Sequence, residues 1–147
     1  MAKKFSFDEL LAKREQREAA RLKVGILEVP GTGKGLEARM PKDKTVLDLY
    51  GEFVAANDAK AYLLCGNHAV YACCPQLWDK KLHEELGCQD DPMRLFDALF
   101  TVTEQDQLGL RALRFLGLSP EAPVSQAEED QDEAQPAVDP GLETVKN

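Results

Sequence analysis

The reading of one stretch, Ala59–Cys74, AKAYLLCGNHAVYACC, decides the fold. Lys60 is the only formal charge inside it. Its apolar residues do not alternate with polar ones: Leu64, Cys65, Ala72 and Cys74 fill the helical turn around Tyr62, Leu63, Ala69, Val70 and Cys73. A helix that is apolar nearly all round is a buried helix. Asp58 is placed to cap it, its carboxylate accepting from first-turn N–H groups that lack a carbonyl partner. Pro75 has no N–H for the ladder and restricts Cys74, so the helix should end there. At about 16 residues the run is shorter than the roughly 20 apolar residues of a membrane span. It is expected to be the central helix of a small soluble domain.

Working back from it, Val46, Leu47, Leu49, Tyr50, Phe53 and Val54 form a helical stripe after Pro41 and Asp43, with Thr45 and Asp48 as further capping candidates. Before that, Leu22, Val24 and Ile26 alternate, and Leu27 and Val29 change phase, which suggests a bulged strand. Leu36, Ala38 and Met40 alternate again, and Pro30–Gly35 joins the two runs as a hairpin. At the start, Ser6 and Glu9 have capping-box spacing, and Phe5 can staple onto Leu10. The helix beyond them is charged on most faces, so Phe7, Leu10 and Leu11 are confined to its first turns. Residues 1–21 are expected to be a helical arm, and Phe5, Phe7, Leu10 and Leu11 are the candidate partner-binding residues.

Working forward, Trp78, Leu82 and Leu86 recur at helical spacing beside Leu77, and Gly87 closes that helix. Asp91-Pro92 opens a short helix carrying Met93, Leu95, Phe96, Leu99 and Phe100. Thr103, with Asp106, is expected to open the last helix, whose Leu108, Ala112, Phe115 and Leu116 share a face up to Gly117. Tyr62, Tyr71 and Trp78 all stand at core spacing. The fold class is thus α+β but mostly helical: an N-terminal helix, one hairpin and about five further helices, with residues 22–118 as the domain. Residues 119–147 hold eight acidic residues, one lysine and few large apolar groups, and are expected to be a disordered acidic tail.

Charge excludes one function class. The net charge is −8, and all but one unit of it belongs to residues 119–147. The first 118 residues are nearly neutral, without the basic face that nucleic-acid binding requires. MAKKFSFDELL has no apolar segment long enough for a signal peptide. Cys65, Cys73, Cys74 and Cys88 therefore read as free thiols in a reducing compartment.

The patterns that could carry chemistry each lack a part. Gly31-Thr32-Gly33-Lys34 has Glu28 where a phosphate loop needs its first glycine, and Gly35 where it needs a hydroxyl for magnesium. It also joins two strands, whereas a phosphate loop leads into a helix. Cys65, His68, Cys73, Cys74, His83 and Cys88 lack the paired Cys-x₂-Cys ligands of structural zinc sites. Cys88 and His83 lack a third, orienting group. No catalytic, cofactor or metal site is expected, and the chain reads as a non-enzymatic binding domain.

The run Cys73–Gly117, CCPQLWDKKLHEELGCQDDPMRLFDALFTVTEQDQLGLRALRFLG, resembles the phage tail assembly chaperones of the XkdN type. The likeness lies in a Leu-rich helix (Leu82, Leu86) ending in Gly87-Cys88, then Pro92 opening a short helix with Leu95, Leu99 and Phe100. A last helix follows, with Leu108, Leu116 and Gly117. The hairpin segment LKVGILEVPGTGKGLEARMP resembles the family's N-terminal part, so the likeness spans about residues 22–118. It implies a phage or prophage accessory protein in the host bacterial cytoplasm, absent from the mature virion. Such a protein would bind the tape-measure protein, keep it soluble and help recruit tail-tube protein, with no nucleic-acid or membrane partner and with a homo-oligomer left open. The competing readings are a structural tail or connector subunit retained in the virion, and a small zinc-binding regulator.

Overall fold

The computed structural model describes residues 2–118. The expected acidic tail lies outside the described residues. Six α-helices and one hairpin follow in the order α1 (Phe7–Arg21), β1 (Val24–Glu28), β2 (Gly35–Arg39), α2 (Asp43–Ala55), α3 (Ala59–Cys73), α4 (Lys80–Leu86), α5 (Leu95–Leu99) and α6 (Val102–Leu116). Two short 3₁₀ turns, Pro75–Trp78 and Pro92–Arg94, lead into α4 and α5. The fold is mostly helical α+β, as its periodicities predict.

α3 is the central helix. Asp58 accepts from Ala61 N–H at 2.8 Å, and Pro75 begins a new 3₁₀ turn where the α-helix stops. Cys65, Ala69, Val70 and Cys73 are sealed from solvent. The largest helix–helix interface is the one between α3 and α6. There Leu108, Ala112, Leu113 and Leu116 join the α3 residues, and Leu95 and Phe96 of α5 close one end of the core. Burying each such side chain is worth about 1.5–3 kcal/mol.

The hairpin covers another side of α3. Its antiparallel register is continuous from Val24 opposite Arg39 to Glu28 opposite Gly35. There is accordingly no bulge. The phase change at Leu27 arises because Val24 and Ile26 face outward, while Leu27 packs inward with Ala38. Gly31 and Gly33 take positive φ in the connecting turn, and Thr32 Oγ1 donates to Val29 O at 2.9 Å.

Five local expectations give way to the tertiary structure. The α2 stripe splits: Leu49 is buried with Val46 and Phe53 beside it, while Leu47, Tyr50 and Val54 are exposed. Lys42, with no side-chain bond, holds the N-cap of α2, and Asp91 makes no capping bond ahead of Pro92. The last helix is opened by Thr101 and not Thr103, through a complete capping box with Glu104. Trp78 sits in the 3₁₀ turn, 47 % exposed, with its indole N–H donating to Tyr71 O, so Leu77 takes the core position expected of it.

Candidate partner-binding groove

α3 and α6 cross with their backbones in contact, because each carries a glycine at the crossing. A Cβ placed on Gly66 would stand 2.9 Å from Gly109 Cα. The close approach leaves no side chains between the helices here, and their larger neighbours splay to either side. On one side this opens an apolar groove of about 400 Å³. Phe53, Tyr62 and Leu63 form one wall, and Leu110 and Leu113 the other. Phe53 and Tyr62 are fixed edge to face, 5.9 Å between ring centres.

The groove carries one charge, Asp106. Desolvation by the surrounding wall raises its carboxyl above the ordinary aspartate range. Beneath it a buried amide relay ties α6 down: Asn67 Nδ2 donates to Gln105 Oε1 at 3.0 Å, and Gln105 Nε2 donates to Phe96 O at 3.2 Å and Phe100 O at 3.1 Å. These bonds tie α6 to α3 and to the end of α5.

The arm is the second feature. No residue of α1 is buried. Phe5, Phe7, Leu10 and Leu11 are 60, 76, 55 and 42 % exposed. The Ser6–Glu9 capping box orders the first turn. The far end of the helix is pinned to α2 by Arg17 and Arg21 on the Asp43 carboxylate. The four candidate residues therefore share one end of a projecting helix, and the groove lies on separate elements. Sequence reasoning missed the groove; its signal was a glycine inside each of two helices, Gly66 and Gly109.

The candidate metal and nucleophile residues do not converge. Among the described residues, no group of three His, Cys, Asp or Glu side chains is placed to hold a metal ion. Burial pushes the thiols of Cys65 to about 11 and of Cys73 and Cys74 to about 12. His68 is held by Glu52 across α2 and α3, Nδ1 to Oε2 2.7 Å. His83 Nε2 lies 2.7 Å from Leu77 O, and its ring stacks on Tyr71. Gly31–Lys34 is a hairpin turn that leads into β2 and not into a helix. Among the described residues, no helix is long and apolar enough to cross a membrane.

No protein-family model matches the sequence, and no curated protein or solved structure matches it.

Proposed function

We propose that the protein is a phage or prophage tail assembly chaperone that binds the tape-measure protein, keeps it soluble and helps recruit tail-tube subunits. The observation that carries this reading is the open apolar α3–α6 groove, together with an arm whose apolar end buries nothing. A groove between helices takes the apolar face of an amphipathic helix. Exposed apolar patches on an unsheathed tape-measure helix aggregate unless covered. The likeness to XkdN-type proteins over residues 22–118 adds the choice of client. The work is done by binding, with no catalytic group, in the host bacterial cytoplasm, and the protein leaves before the virion is complete.

Co-expression tests it. The cognate tape-measure protein should gain soluble yield and co-purify, and the complex should survive about 0.5 M salt, where the Debye length is only a few ångströms. Leu110→Lys, on the groove wall, should abolish co-purification while leaving the domain folded. Failure to bind, with stoichiometric protein in purified tails, would replace this reading with that of a structural tail subunit.

A further inference from the structure

A second cavity, of about 420 Å³, is lined by Trp78, Lys80, His83, Glu84, Gln89 and Pro92, and shares no residue with the α3–α6 groove. Small-molecule sites span roughly 300–1,000 Å³. His83 is 7 % exposed, and a buried polar ring needs partners for its nitrogens. Its Nε2 lies 2.7 Å from Leu77 O. A carbonyl only accepts, so Nε2 carries the hydrogen, and Nδ1 of the neutral ring is an acceptor. Among the described residues Nδ1 accepts from no group. It is not sealed off either, since the one fully enclosed side-chain atom without a partner there is Asn67 Oδ1. His83 thus keeps an unused lone pair where the cavity lets a ligand approach it.

The other lining groups narrow the class of ligand. Lys80 and Glu84 stand one turn apart on α4, in the order that pairs less well along a helix. Among the described residues neither makes an ion pair. The cavity therefore offers one charge of each sign. The Trp78 indole is held by its bond to Tyr71 O yet stays half-exposed, and with Pro92 it supplies the apolar surface.

We propose that this cavity binds a free α-amino acid with an aromatic or large apolar side chain. The ammonium group donates to His83 Nδ1 and pairs with Glu84, the carboxylate pairs with Lys80, and the side chain lies on Trp78 and Pro92. The Gln89 amide, donor and acceptor at once, serves either charged group. A ligand with only one charge would set it against the like charge of Lys80 or Glu84. The site is independent of the chaperone reading, because it lies outside the groove assigned to the client helix.

Trp78 is the only tryptophan in the chain, so its fluorescence reports on this cavity in the full-length protein. L-Phenylalanine should shift that emission saturably, with a Kd below about 10 mM. Phenethylamine, which lacks the carboxylate, and 3-phenylpropionate, which lacks the ammonium, should each bind at least about tenfold more weakly. Lys80 and Glu84 are exposed, so Lys80→Gln and Glu84→Gln keep the fold. Each should weaken phenylalanine binding by at least about tenfold. Leu110→Lys, in the other groove, should leave it unchanged. Absence of a saturable response to both L-phenylalanine and L-leucine overturns the proposal. So does phenylalanine binding that neither exposed variant weakens, and so does phenethylamine binding as tight as that of phenylalanine, which would make the site one for cations.

Discussion

Gly66 and Gly109 meet backbone to backbone: a Cβ built on Gly109 would lie 2.8 Å from Gly66 Cα, closer than real Cβ atoms come to a neighbour. The contact brings the central helix and the last helix together and shapes the groove beside them. Gly51, inside α2, meets nothing within 4 Å. The same substitution should therefore have opposite signs at these sites.

Gly109→Ala should destabilise the domain by about 1–3 kcal/mol, because forcing α3 and α6 apart costs more than the roughly 1 kcal/mol that alanine gains in helix propensity. Gly51→Ala should stabilise it by about 0.5–1 kcal/mol. Urea unfolding of both variants measures the pair, and equal effects would show that the crossing is not tight.

Gln105→Leu removes the amide that serves Asn67, Phe96 O and Phe100 O in a buried setting. It should cost at least about 2 kcal/mol, since each buried polar group left without a partner carries its own desolvation penalty. Adding Asn67→Leu should recover part of that loss. Strictly additive effects in a double-mutant cycle would show that the two amides do not act together.

Asp106 is exposed at the groove, and the sign of its pH dependence follows from partial desolvation by the neighbouring wall. Its carboxyl is raised in the folded protein, so the folded state binds its proton more tightly than the unfolded one. The ionised form thus lowers stability at pH 7, and that loss is regained as pH falls through the folded-state value. Asp106→Asn should raise the melting temperature at pH 7 only slightly, by about 1 °C or less because solvent screens an exposed group, and lose its advantage near pH 3. A gain that persists unchanged at pH 3 would point to packing as its cause.

All four cysteines are free and buried. With Cys65 near 11 and Cys73 and Cys74 near 12, these thiols stay protonated at neutral pH and lack the reactive thiolate. Ellman's reagent should find almost no reaction in the native protein and four equivalents after denaturation. Rapid native labelling of one thiol would reveal an opening near α3.

The elements themselves were written in local sequence. Asp58 and Pro75 bracket α3, Ser6 and Glu9 start α1, and Gly87 and Gly117 end their helices at positive φ, because caps, turns and breakers act within a few residues of where they stand. That α1 has little to bury along its charged second half was legible for the same reason, whereas only the tertiary structure shows that its apolar first turns are exposed too. Periodicity told which residues share a helix face but not how many faces would be covered. That is why Leu47, Tyr50 and Val54 lie outside the core while Leu49 lies within it. The groove belongs wholly to the tertiary structure. Its walls come from α2, α3 and α6, and its existence depends on which glycine meets which. Two glycines some forty residues apart become neighbours only when the chain between them has folded back.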